Sequence, residues 1–257
     1  MNCVTQNNGI LKASLNPDQA ELCFLGQAGY IMRTADCIVV IDPYLTDSVG
    51  LLDSRFTRLY PPPIQPEELK ADIFVVTHDH LDHLDPETIR RYQHTKETCF
   101  VAPRLACRNL RDMGVPKDNI YRLDAGESQT INTVRITGIY AVPSAPEVID
   151  TTGYHIAFSN GRTVYATSDT GFSDLLLACA PAAEVMLVCI NGKWGNLSAE
   201  QAARLTGKVA PRFVMPNHYD MMALNTENPE TFKCFLHQHH PNIQTRFLKA
   251  METFVWS

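Results

Sequence analysis

The sequence predicts an α+β protein in which two β-sheets pack face to face with helices on the outside. Short strand-like runs open both halves of the chain, helical runs are interspersed after them, and the second half repeats the logic of the first. Such a pattern buries its apolar faces when two sheets stack and helices cover them. With 257 residues, 45% of them hydrophobic and 19% charged, the chain is long enough for one large core or two closely packed halves. No strict repeat, low-complexity tract or linker divides it, so one domain over 1–257 is expected. About the first 15 residues are expected to be loosely ordered.

In chain order, Glu21 to Leu25 reads as a strand, Gly26-Gln27-Ala28-Gly29 as a turn and Tyr30 to Thr34 as a second strand. Cys37 to Ile41 is a third, stopped at Asp42-Pro43 because proline has no N–H for the ladder. Asp47 to Pro66, with Arg55, Arg58 and Pro61-Pro62-Pro63, reads as a long ordered loop rather than an element. Asp72 to Val76 is a short apolar strand that runs into His78-Asp79-His80-Leu81-Asp82-His83. Asp85 as N-cap and Pro86 at the first helical position start a helix to about Gln93. Cys99 to Ala102 is a strand, Pro103 to Met113 a helix ended by Gly114, and Asn119 to Leu123 and Thr130 to Ala141 are strand-like. Tyr154 to Phe158 and Arg162 to Ala166 form a hairpin that ends in Thr167-Ser168-Asp169-Thr170. Ser173 to Cys179 is helical and Val185 to Ile190 a buried strand. Ser198 and Gln201 have capping-box spacing for a helix that stops at Gly207, and Phe213 to Met215 leads into Pro216-Asn217-His218. Asn228-Pro229-Glu230 opens a helix with Phe232, Phe235 and Leu236 on its apolar face, and Asn242 to Leu248 closes the chain as a strand.

The formal charge is −6, from 22 basic and 28 acidic residues, which argues against non-specific binding to nucleic acid or an anionic membrane. The eight cysteines form no CxxC pair and read as free thiols of a reducing compartment. No charged leader followed by an apolar stretch opens the chain, and the most apolar window, Leu175 to Ile190, is short for a span and interrupted by Pro181 and Glu184. A cytoplasmic location with no membrane contact is expected.

His78, His80, Asp82 and His83 fall within six residues directly after an apolar strand. The strand fixes where the loop starts, and alternation puts His78 and His80 on one side of an extended segment. Imidazole and carboxylate suit zinc, and manganese or iron as well. The plain alternative is a solvated polar loop, against which the density of histidines counts. Asp169 and His218 each stand where a strand gives way to a loop, which brings them toward the cluster as distant ligands. Taken alone, one reads equally as a helix cap and the other as a hydrogen-bonded core histidine. Asp42 also ends a strand, either to hold a ligand imidazole in one tautomer or as a turn aspartate before proline. His237, His239 and His240, at a helix end, read as surface residues.

These segments resemble the metallo-β-lactamase superfamily, whose hallmark His-x-His-x-Asp-His is intact at residues 78–83. More narrowly, Phe24 to Tyr30, Ile41 to Leu45, Arg58 to Pro66, Thr77 to Pro86, Tyr165 to Thr170 and Pro216 to Asp220 are similar to the branch containing L-ascorbate-6-phosphate lactonase. The resemblance implies a four-layer αββα sandwich with the metal at one edge between the sheets. It implies one site around His78 and His80, another around Asp82, His83 and His218, and Asp169 as the bridge. There is one departure. Where family members supply a third histidine to the first site, the stretch Ala141 to Glu147 has Pro146, which offers no ligand atom. His155 and Glu147 are the available substitutes. Without one, a single divalent ion, zinc or manganese, is favoured over two, held chiefly by Asp82, His83, Asp169 and His218.

Such an ion would activate water and polarise a carbonyl or phosphoryl oxygen. Asp169 is expected to orient that water or take its proton, with His78 and Asp82 as the other catalytic candidates. Arg55 and Arg58 are candidates for a phosphate tail, against ordinary surface salt bridging. Lys193 and Trp194, in a glycine-flanked loop, are candidates for a pocket wall, and Tyr219 is either a substrate contact or scaffold. The leading expectation, which leans on the resemblance, is a hydrolase opening a small anionic or phosphorylated carbohydrate lactone or similar ester. A phosphodiesterase or ribonuclease of the same superfamily is opposed by the acidic charge and the lack of a basic stripe. The Pro146 departure keeps open a non-catalytic metal- or ligand-binding protein with a degraded first site. A homo-oligomer stays open as well.

Overall fold

In the first strand Leu22 and Phe24 alternate with Cys23 and Leu25, and all four are buried. A strand buried on both faces needs an apolar layer on each side. A computed structural model describes residues 14–257 and shows how that need is met; the expected loose start lies almost wholly outside the described residues, as does Cys3.

The first half supplies β1 (Ala20–Gly26), β2 (Gly29–Arg33), β3 (Ile38–Ile41), β4 (Ile73–Val75), β5 (Cys99–Ala102) and β6 (Ile120–Arg122). Between them lie α1 (Ser48–Leu52), α2 (Pro86–Arg91) and α3 (Arg104–Asp112). The second half supplies β7 (Ser128–Ile131), β8 (Val134–Tyr140), β9 (Thr152–Ala157), β10 (Thr163–Ala166), β11 (Val185–Cys189), β12 (Phe213–Asn217) and β13 (Gln244–Thr245). Its helices are α4 (Asp174–Cys179), α5 (Ala199–Val209) and α6 (Pro229–His239), and β14 (Thr253–Trp256) follows them. These form two seven-stranded sheets, ordered β14-β1-β2-β3-β4-β5-β6 and β13-β12-β11-β10-β9-β8-β7. Each begins as an antiparallel meander and continues as parallel strands, β3 to β6 and β10 to β13, and every parallel step carries a helix.

Three apolar layers hold the stack. Leu22, Phe24, Val39 and Val75 of the first sheet meet Ile136, Ile156, Val164 and Leu187 of the second. The other face of the first sheet, through Leu25, Val40 and Phe74, packs on Ile89 of α2 and Leu110 of α3. The other face of the second, through Met186, Val188 and Val214, packs on Leu205 of α5 and Phe232 of α6. The result is the helix–sheet–sheet–helix sandwich that the resemblance implied. The helix starts follow local chemistry: Asp85 accepts from Glu87 N, Ser173 from Leu176 N and Asn228 from Glu230 N, and Ser198 and Gln201 cap reciprocally.

Four local expectations differ. Thr130 to Ala141 is a hairpin rather than one strand, because Asn132 takes φ +53° and reverses the chain so that Ile131 pairs with Val134. The expected loop from Asp47 to Pro66 contains α1 and a turn of 3₁₀ helix, Ser54–Phe56. The helix expected to stop at Gly207 runs to Val209, and Gly207 instead makes room for the His240 ring. The closing strand is only Gln244–Thr245, while β14 pairs with β1 at the far edge of the other sheet. Its alternation of Phe254 and Trp256 inward with Thr253 and Val255 outward was the available signal. Leu175 to Ile190 is divided between α4 and β11, and no helix among the described residues is long and apolar enough to cross a membrane.

Because Leu22 is fully buried between the sheets, Leu22→Ala is expected to lower unfolding stability by about 2–5 kcal/mol. Urea denaturation measures it, and a loss below about 0.5 kcal/mol would contradict a close-packed layer there.

Candidate metal centre

The donors come from strand ends. β3 ends at Asp42, β4 leads through Thr77 into residues 78–83, β10 leads to Asp169, β12 to His218, and the turn between β1 and β2 carries Gln27. Four residues here have left-handed backbone: Asp42 (φ +43°), Gln27 (+57°), His218 (+60°) and Ser168 (+64°). That conformation costs about 1–2 kcal/mol for a residue with a Cβ. Its gathering around one point marks a place where the fold holds the chain against local preference.

Asp42 organises the histidines. Its Oδ1 accepts from Thr77 N at 2.9 Å, and its Oδ2 lies 2.8 Å from His83 Nδ1 and accepts from Thr77 Oγ1 at 2.6 Å. With its proton committed to Asp42, the Thr77 hydroxyl has lone pairs for the proton on His78 Nδ1, 3.0 Å away. One carboxylate thus sets both rings, directly for His83 and through Thr77 for His78, and leaves each Nε2 to face inward.

Both of those Nε2 atoms are buried without a hydrogen-bond partner. His83 Nε2 lies 3.4 Å from Asp169 Oδ1 and 4.0 Å from Asp82 Oδ2, while His218 Nε2 is 2.7 Å from the same Asp169 oxygen. Asn196 Nδ2 donates to the other oxygen of Asp169 at 2.7 Å. The Gln27 amide nitrogen donates to Asp82 Oδ2 at 2.9 Å and lies 2.8 Å from His218 Nδ1. Two donor groups result, His78–His80–Asp169 and Asp82–His83–His218, each with its ligand atoms within 4.8 Å of one another. The electrostatics favour positive charge. Burial opposes protonation of His83, but Asp169, Asp82 and Asp42 outweigh it and hold its pKa well above the usual range. Asp169, despite burial, is held well below the carboxylate range by His218 and His83. Burial, reinforced by His83, keeps His78 neutral and so a competent donor. Orphaned imidazole nitrogens beside ionised carboxylates are a donor set that fits a divalent cation.

Around the centre the expectations sort by position. Glu147 Oε1 is 3.9 Å from His80 Nε2, on a side chain 72% exposed. His155 is no substitute ligand: Tyr154 and Ile156 face the inter-sheet core, so it points to the outer face, where it meets the Ala182 backbone. Arg58 is not a phosphate anchor but an internal brace, donating to the carbonyls of Tyr44 (2.8 Å) and Tyr60 (3.1 Å) from beside their rings. Arg55 is spent on Asp53 at 2.6 Å. Lys193 clasps the carbonyls of Leu224 (2.6 Å) and Thr226 (3.2 Å). Tyr219 is scaffold, buried against Phe24 with its hydroxyl donating to Leu248 O. Trp194 does reach the cleft, a cavity of about 230 Å³ lined also by His80, Asp82 and Asp169. Gln27, Thr77, Asn196 and Asn225 escaped the sequence reading, since a single amide or hydroxyl in a loop carries no spacing signal.

A family profile described as the beta-lactamase superfamily domain matches residues 38–219, which include all six residues of the two donor groups. The chain belongs to the metallo-β-lactamase superfamily. Among curated superfamily relatives, a UPF0173 metal-dependent hydrolase of Methanosarcina barkeri is 25% identical over 230 residues, covering 83% of this chain and 89% of its own. Of solved structures, Igni18 from Ignicoccus hospitalis, a metallo hydrolase, aligns with a TM-score of 0.72 at 21% identity, over 93% of this chain and 99% of its own. An isothiocyanate hydrolase from Delia radicum gut bacteria aligns with a TM-score of 0.73 at 17% identity, over 92% and 99%. At these identities the structures establish the fold, and the narrower likeness to the lactonase branch rests on the quoted sequence stretches alone.

Thr77→Val removes the hydroxyl that links Asp42 to His78 while keeping the shape of the side chain. Metal affinity is expected to fall about 10–100-fold, with Thr77→Ser close to wild type. Titration against a competing chelator measures this; equal affinities for the Val variant and wild type would show that the link does not matter.

Proposed function

We propose that this chain is a metal-dependent hydrolase that cleaves a small lactone or similar ester at its carbonyl carbon. The observation that carries the proposal is the pair of adjacent donor groups beside a small cleft, with Asp169 of the first reaching His83 and His218 of the second. The names of its curated relatives, metal-dependent hydrolases, support the hydrolase part of this reading.

Asp82, His83, His218 and Asp169 would hold the ion, and when bound it would supply the Lewis acidity that polarises a carbonyl and acidifies water. The protein's own part is positional. Asn196 fixes Asp169 through one oxygen, so the other is aimed among His83 and His218, where it can orient the attacking water. Gln27 and Asn225 donate to Asp82 Oδ2 at 2.9 and 3.3 Å, which holds that carboxylate's rotamer. His78 and His80 provide the second donor group beside it. Zinc and manganese both suit this mixed nitrogen and oxygen set.

A phosphodiesterase or nuclease reading is less well supported. Among the described residues no lysine or arginine lines the cleft, and the chain is acidic overall. The same observation removes the anchor once expected for a phosphorylated tail. A non-catalytic role fits poorly with so many buried donors held in one orientation.

Protein purified without added metal is expected to carry an ion by elemental mass spectrometry, lost in His83→Ala. Chelation should abolish hydrolysis of a lactone panel, and zinc or manganese should restore it. Metal-free wild type that stays empty after incubation with either ion would sink the proposal.

A further inference from the structure

Trp194 is 46% exposed although its loop is pinned on every side. Gly192 N donates to Leu197 O at 3.0 Å, Asn196 N to Lys193 O at 2.9 Å, and Asn191 Nδ2 to Asn225 Oδ1 at 2.6 Å. Lys193 is tied to the carbonyls of Leu224 and Thr226, and Gly195 presses so closely on the Ser144 carbonyl that no Cβ would fit. Within this clasp Trp194 takes φ +51°, a left-handed conformation that a bulky residue rarely adopts. A large apolar ring exposed on a strained, immobilised backbone is not explained by packing; strain of this kind gathers at ligand sites.

The indole stands at the cleft beside Phe56, with ring centroids 5.6 Å apart and planes tilted by 44°. Val49 and Met222 add apolar wall, and Asp82 and Asp169 line the same cavity. Two residues beyond Trp194, Asn196 holds Asp169, so the aromatic wall and the reacting end share one short loop. At about 230 Å³ the cavity takes a small molecule only.

We propose that Trp194 and Phe56 form an aromatic wall on which a flat, uncharged group of the substrate packs, which makes neutral aryl or unsaturated esters and lactones the substrate class. This rests on the hydrolase reading and replaces the phosphorylated sugar expected from sequence. In the reaction the oxygen of one water bonds the carbonyl carbon, the acyl–oxygen bond breaks, and a water proton ends on the leaving alcohol.

The test uses the zinc-loaded full chain and two independent readouts. In binding, neutral 4-nitroanisole is expected to quench Trp194 emission saturably over the constant background of buried Trp256. Equilibrium dialysis should give about tenfold weaker binding to Trp194→Ala, and about tenfold weaker binding of the fixed anion 4-nitrobenzenesulfonate to wild type. In turnover, Trp194→Ala should lower the preference for phenyl acetate over methyl acetate, as the ratio of kcat/KM values, by about tenfold, with Trp194→Phe restoring most of it. Metal content should be the same in all three proteins, which separates the aromatic wall from damage to the centre. Equal affinity for the neutral and anionic probes, or equal affinity of wild type and Trp194→Ala for nitroanisole, overturns the proposal. Failure to cleave either ester counts against the hydrolase reading, and the binding arm still decides the role of the wall.

Discussion

The buried carboxylate of Asp42 is the interaction on which the rest of the centre depends. It is 2% exposed, yet its oxygens are met by the Thr77 backbone N–H, the Thr77 hydroxyl and the His83 ring. A buried carboxylate left unpaired would be costly, and here both oxygens have partners. These oxygens hold the Nδ1 side of His83 and, through Thr77, that of His78. Two neighbouring Nε2 atoms are thereby turned inward, and that ring orientation is the preorganisation a metal site needs.

The fold makes this possible by where its strands stop. β3 and β4 are parallel neighbours, so Asp42 and Thr77 emerge side by side. The Thr77 carbonyl accepts from Thr152 N, which stitches the start of the histidine loop to the second sheet. On that sheet β10, β11 and β12 also run parallel and deliver Asp169 and His218 at corresponding ends. The three apolar layers have no part in the chemistry, but they fix the two sheets against each other. The 2.7 Å contact between His218 and Asp169 and the 3.4 Å approach of His83 depend on that registry.

Much of this was legible in the sequence because short spacing and strand ends are local signals. The cluster at residues 78–83, Asp169 and His218 lie together in the structure, and the helix caps sit at the residues whose side chains make them. The cationic candidates misled for a common reason. Charge is visible in a sequence, whereas what consumes it is not: Arg58 meets carbonyls 12 to 14 residues away and Lys193 meets carbonyls more than 30 residues away. Asn132 was missed differently. It adopts positive φ in a turn where glycine is the usual cue, so one hairpin went unmarked.

The two donor groups are not equivalent, and this bears on the missing histidine at Pro146. His83 and His218 are fully buried, and each has its other nitrogen engaged, by Asp42 and Gln27 respectively. His80 has a side chain 30% exposed, and the nearest carboxylate beyond the core of the site, Glu147, stands 3.9 Å off on an exposed arm. Asp169 is drawn toward the rigid group, since one oxygen lies against His218 and His83 and the other is held by Asn196. A third histidine would have stiffened the looser group. Proline leaves it open to the cleft, and the same opening is what Trp194 and Phe56 overlook. The first position thereby faces the cleft with a partly exposed imidazole, while the second is a set of buried rings held from behind by Asp42 and Gln27.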